Sequence, residues 1–131
     1  MRKELARIVF LDDSEDLREL MPILLESTLD VECMCFANVK ELQSHAEDVL
    51  RAKVAILDIN LGPNLPSGVD AFNWLTEHGF KGKVLFFTGH ARTNPQVTRA
   101  AKNGVEILEK PLHPEKLISS VTRALGGASC R

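Results

Sequence analysis

The sequence predicts one α/β domain: a three-layer (βα)5 sandwich whose five-stranded parallel sheet is doubly wound in the order 2-1-3-4-5. Three observations carry this reading. Five short apolar runs alternate with longer segments of helical periodicity, the pattern of βα units. The first, third and fourth runs are nearly continuous in apolar residues, which suits strands covered on both faces. A chain of 131 residues, 44% of them apolar, can bury one core without disulfides or structural metal.

The expected strands are Arg7–Leu11, Val31–Ala37, Val54–Asp58, Val84–Thr88 and Glu106–Glu109. The first helix is capped by Ser14 and runs to about Thr28, with Leu17, Leu20, Met21, Leu24 and Leu25 at helical spacing. Pro22 falls inside it and is expected to kink it or shift its start. Asn38, followed three residues on by Glu41, is a capping-box signature for a second helix over Val39–Leu50. A third covers Val69–His78 and stops at Gly79. A fourth begins near Pro95 and ends before Gly104, and a fifth runs from Pro114 to Gly126. Residues 1–125 are expected to form the domain and 126–131 a flexible tail. No repeat, low-complexity stretch or second domain is visible.

Composition excludes several function classes. A net charge of −2 lacks the basic excess of a nucleic-acid binder, so no direct nucleic-acid contact is expected. No apolar run approaches the roughly 20 residues of a membrane span, and the charged start Met1–Arg7 holds no signal-peptide core. A soluble cytoplasmic protein without membrane insertion is the expectation. Cys33, Cys35 and Cys130 are odd in number, which argues against a disulfide framework. Cys33 and Cys35 share a strand face and read as free thiols at the core. Cys130, in the tail, is a candidate for dimerisation by oxidation.

In doubly wound sheets, sites form beyond the carboxyl ends of the strands. Strand one ends in Asp12-Asp13, strand three in Asp58 and strand four in Thr88, while Lys110-Pro111 follows strand five. The fold would bring these to one edge. Three gathered carboxylates repel one another unless a cation intervenes. Mg²⁺ suits hard oxygen ligands plus phosphate oxygens, with Mn²⁺ as a substitute. A carboxylate is also a competent nucleophile toward a phosphoryl group. Lys110 and the metal would neutralise charge, and Thr88 would donate a hydrogen bond. Any one of these residues alone is a weak signal, since an Asp after a strand is often only a helix cap. Their joint occurrence in order is the informative feature.

Over about Arg7 to Leu125 these residues resemble the receiver domains of two-component response regulators, which are flavodoxin-like in fold. The resemblance implies that Asp12 and Asp13 bind metal and that Asp58 is the phosphoacceptor and a metal ligand. It implies that the backbone carbonyl of Asn60 completes the metal shell and that Thr88 moves toward the phosphoryl group. It implies that Lys110 precedes a cis proline, Pro111. The donor would be a phosphohistidine on a sensor histidine kinase or phosphotransfer protein, with small donors such as acetyl phosphate as substitutes. The domain would catalyse its own phosphorylation and dephosphorylation without being a turnover enzyme on an external substrate. The phosphorylated state would alter binding to an unidentified protein target, and a homodimer stays open. No output domain follows Leu125, so the expectation is a stand-alone receiver or a piece of a longer protein.

Three departures stand out. The segment after Asp58 reads Ile59-Asn60-Leu61-Gly62-Pro63-Asn64-Leu65-Pro66-Ser67-Gly68, with Gly62 where the family commonly has proline and Gly68 two residues late. The switch position in strand five, usually aromatic, is Ile107, which weakens coupling from Thr88 or moves it to another element. His90, two residues after Thr88, flanks the phosphoryl group with Asn60 and is placed to tune attack by water. The main rival is a degenerate receiver that binds partners without phosphorylation. A flavodoxin-like cofactor binder would want phosphate-cradling residues where Asp12-Asp13-Ser14-Glu15-Asp16 stands, and a dehalogenase-type phosphatase would want Asp where Asn60 stands.

Overall fold

The computed structural model describes residues 5–59, 68–89, 105–111 and 113–126. In chain order these form β1 (Ala6–Leu11), α1 (Glu15–Thr28), β2 (Val31–Phe36), α2 (Val39–Gln43), α3 (Ala46–Leu50), β3 (Val54–Asp58), α4 (Gly68–Glu77), β4 (Lys83–Thr88), β5 (Glu106–Glu109) and α5 (Pro114–Ala124). All strand pairs are parallel and the sheet order is β2-β1-β3-β4-β5, as the sequence predicts.

Strand periodicity splits the core into two layers. Val9, Leu11, Ala55, Leu57 and Phe86 face one side, where Val39, Leu42, Val49, Ala71 and Leu75 of α2, α3 and α4 cover them. Ile8, Phe10, Ile56 and Phe87 face the other, packed by Met21 and Leu25 of α1 and by Leu117 and Val121 of α5. Because both faces are covered, β3 is buried at all five positions, which is why its sequence is an unbroken apolar run up to Asp58.

Helix α1 starts at Glu15, where Ser14 places it: the Ser14 side chain accepts from the Leu17 amide at 3.3 Å. Pro22 lies inside the helix without shifting that start. The expected second helix is instead two short ones, α2 and α3, separated at Ser44 and His45. The Ser44 hydroxyl donates to the Glu41 carbonyl at 2.6 Å, and His45 Nδ1 lies 3.1 Å from the same oxygen. Side chains that engage a backbone carbonyl near the helix end compete with its continuation. The capping signature itself holds. The Glu41 amide donates to Asn38 Oδ1 at 2.8 Å, and Glu41 Oε1 reaches back to the Ala37 amide, one residue before the cap. Asn38→Ala is expected to cost about 1 kcal/mol, read as a lower midpoint in urea denaturation.

The helix expected between Pro95 and Gly104, the segment Asn60–Ser67 and the tail from Gly127 lie outside the described residues.

Candidate functional site

Asp12, Asp58, Thr88 and Lys110 come together at the carboxyl edge of the sheet. Asp12 directly follows β1 and is fully buried. Its amide donates to the Phe36 carbonyl at 3.1 Å, which locks it to the end of β2. Its Oδ1 accepts from the Ser14 amide at 2.9 Å, and its own carbonyl accepts from Arg18 Nη1 at 3.1 Å. The cap and first turn of α1 therefore hold Asp12 at two points, its carboxylate and its backbone carbonyl. Asp58 ends β3 with 1% of its surface exposed, and Thr88 ends β4 equally buried. Asp13 is exposed at the rim.

Each of Asp12, Asp13 and Asp58 offers a carboxylate oxygen, and the three oxygens lie within 4.8 Å of one another. Lys110 balances part of this charge. Its Nζ stands 3.3 Å from Asp12 Oδ2 and 3.3 Å from Asp58 Oδ2, and 5.2 Å from the centre of the Phe87 ring. Its amide donates to the Thr88 carbonyl at 2.8 Å, which extends the β4–β5 ladder, and the Lys110–Pro111 peptide is cis.

The two charge contacts of Lys110 differ in kind. The approach to Asp58 has hydrogen-bond geometry, whereas buried Asp12 Oδ2 receives no hydrogen bond among the described residues. A buried carboxylate oxygen without a donor is costly unless a cation faces it. One half-buried ammonium pairs with two buried carboxylates, while the exposed Asp13 makes no ion pair among the described residues. The donor set is all hard oxygen, anionic and clustered, and it fits Mg²⁺.

The structure thus brings together Asp12, Asp13, Asp58, Thr88 and Lys110. Ile107 lies apart from them in β5, beside Phe86 of β4, half-buried among the apolar side chains on the α2–α4 side of the sheet. Asn60 and His90 lie outside the described residues. Two contributors were not legible as such in the sequence. Arg18 carries no motif signal, yet its guanidinium holds the Asp12 carbonyl. Gly68 looked like a displaced loop glycine, yet a Cβ there would stand 2.4 Å from the Asp58 carbonyl oxygen and 2.8 Å from its carbon. The start of α4 packs directly on the backbone of the carboxylate at the centre of the site. Its only sequence signal was a glycine soon after Asp58.

Comparison with known proteins agrees with this geometry. The family model of the response regulator receiver domain matches residues 8–122. Among solved structures, the chain is similar to a response regulator receiver domain protein from Clostridium thermocellum, with 27% identity, TM-score 0.79, and 92% of this chain and 94% of that one covered. It is also similar in fold to the chemotaxis protein CheY4 of Vibrio cholerae, with 24% identity, TM-score 0.78, and 93% and 100% covered. A CheY-like receiver domain protein from Methanospirillum hungatei matches at 21% identity and TM-score 0.80, over 93% and 94%. No curated protein matches the sequence. With its sheet order, its acidic edge and a family match over nearly the whole chain, the protein belongs to the response regulator receiver domain family.

Proposed function

We propose that this chain is the phosphoacceptor of a two-component or phosphorelay pathway, with Asp58 taking a phosphoryl group from a phosphohistidine donor. The observation that carries the reading is the pairing of buried Asp58 Oδ2 with Lys110 Nζ at 3.3 Å, beside the oxygens of Asp12 and Asp13. Receiver domains in general bind Mg²⁺ through an acidic pocket and interact with histidine kinases or phosphotransfer proteins.

In this reading a carboxylate oxygen of Asp58 attacks the phosphorus while the bond from phosphorus to the donor nitrogen breaks, leaving an acyl phosphate on Asp58. Asp12 and Asp13, with Asp58 and the Asn60 carbonyl, would hold Mg²⁺. The metal supplies positive charge against the phosphoryl oxygens. Lys110 shifts its ion pair from the carboxylates toward the transferred group, and the Thr88 hydroxyl donates a hydrogen bond to it. By the family resemblance, His90 and Asn60 would tune the lifetime of the product, and Ile107 in the usual aromatic position makes the output switch weaker or differently built. The domain works as a cytoplasmic partner of its kinase and passes its state to a protein target.

The test is intact mass after acetyl phosphate, with and without Mg²⁺. A single phosphoryl adduct that requires the metal is expected; no adduct under either condition would leave the degenerate, phosphorylation-independent receiver. Mg²⁺ should bind weakly, on the order of millimolar, as at other water-rich sites. Asp13→Ala should remove most of that binding in a titration, and unchanged affinity would take Asp13 out of the ligand set.

A further inference from the structure

Cys33 and Cys35 stand outside the acidic site. Two apart on β2, they project to one face, where both are half-buried, free and packed with the α1 layer. Their Sγ atoms are 4.0 Å apart. Pro22 has no N–H to give the Arg18 carbonyl one turn back in α1, and the Cys35 thiol donates to that oxygen at 3.4 Å. The Cys33 amide donates to Glu26 Oε2 at 2.8 Å. A proline in the helix thus opens an acceptor that seats one thiol, and the strand period holds the second beside it.

The two sulfurs are unlike. A hydrogen bond from the Cys33 thiol and the positive charge of Arg18 favour the thiolate of Cys35. Burial, Glu26 and the hydrogen bond that the Cys35 thiol gives up to the Arg18 carbonyl on ionising oppose this, while the Cys33 hydrogen bond and the Arg18 charge lower the Cys35 pKa below the ordinary thiol value. Hydrogen bonding to Cys35, then burial, pushes Cys33 upward. A thiolate beside a retained thiol is the arrangement of an attacking and a resolving cysteine.

We propose that Cys33 and Cys35 form a peroxide-reactive dithiol that closes to a reversible disulfide. The Cys35 thiolate attacks one oxygen of hydrogen peroxide. The O–O bond breaks, hydroxide leaves, and the sulfur becomes a sulfenic acid, oxidised by two electrons as the peroxide is reduced. Cys33 then attacks that sulfur, the S–S bond forms, and the sulfenic oxygen leaves as water with the Cys33 proton. In sum, two thiols and one hydrogen peroxide give one disulfide and two waters.

Closure brings the sulfurs from 4.0 Å to about 2.05 Å. A strand rise of about 3.3 Å per residue sets their Cα atoms about 6.6 Å apart, near the upper end of the disulfide range. The strand must pucker to close the bond. β2 is the edge of the described sheet and pairs only with β1, so puckering disturbs one ladder rather than two. Such a bond is strained and readily reduced by a dithiol. A soft-metal site is less well supported: among the described residues the only metal-ligating cluster of three is Asp12, Asp13 and Asp58.

The experiment treats the full chain with hydrogen peroxide, blocks remaining thiols, digests with trypsin and measures masses. Cleavage after Arg18 and Lys40 leaves Cys33 and Cys35 on one peptide and Cys130 on another. The shared peptide should lose two hydrogens and escape blocking, and dithiothreitol should restore it. Cys33→Ser should stop at a sulfenic acid that dimedone traps on Cys35, whereas Cys35→Ser should react at least about tenfold more slowly. The proposal is overturned if the native peptide stays fully blockable, goes to sulfinic acid without losing hydrogens, or joins to another chain instead. Equal reactivity of the two serine variants would overturn the assignment of Cys35 as the attacking sulfur.

Discussion

Asp58→Asn is expected to reduce base-labile labelling from acetyl phosphate to background while leaving the fold intact. The amide has nearly the shape of the carboxylate, so the buried end of β3 keeps its packing. What it loses is nucleophilicity, since an amide oxygen does not displace a leaving group from phosphorus at neutral pH. Stability should change little. Removing one partner of a buried ion pair is costly when it strands the other charge, but Lys110 keeps Asp12 Oδ2 at 3.3 Å and is itself partly exposed. Loss of one of three mutually repelling carboxylates offsets part of what the pairing with Lys110 contributed. Circular dichroism and intact-mass measurement on the same sample read both effects. Label that persists at wild-type level would place the acceptor on another residue.

Gly68→Ala should disturb both the packing of α4 and the site itself. The added carbon would meet the Asp58 carbonyl oxygen at 2.4 Å, its carbon at 2.8 Å and the Ile59 Cα at 3.1 Å. All three atoms are backbone, at and just beyond the end of a strand that is buried along its length. Relief therefore requires moving either α4 or the end of β3. Overpacking of this kind costs about 1–3 kcal/mol, and the displacement falls on Asp58 itself. The expected result is a lower denaturation midpoint together with slower phosphoryl labelling. Gly79→Ala is the control. Its φ of 80° makes alanine strained there, but nothing stands within 4 Å of the new carbon. That variant should lose about 1–2 kcal/mol and label at the normal rate. Normal labelling and stability in Gly68→Ala would mean that α4 adjusts freely and does not set the position of Asp58.

How much was legible followed from how local each signal is. Val54–Asp58 announced a doubly covered strand with a carboxylate at its end, because burial on both faces demands an unbroken apolar run. Ser14 and Asn38 marked helix starts because capping is written within three residues. The break at Ser44 and His45 was missed because helical periodicity continues across it. What ends α2 is a pair of side chains turned onto the Glu41 carbonyl. The proline in α1 was read as a threat to the helix, when its consequence lies across the layer, in the carbonyl it leaves for Cys35.

From the chain alone came the sheet order, the family resemblance and the list of acids, hydroxyl and lysine at the strand ends, since strand periodicity and crossover rules map sequence position onto the sheet edge. Only the folded arrangement decided the distances: which carboxylates share Lys110, that Asp12 Oδ2 lacks a hydrogen bond among the described residues, that Gly68 rests on Asp58 and that two thiols meet over α1. Charge pairing and close packing act through space between residues distant in sequence, and no pattern of neighbours along the chain encodes them.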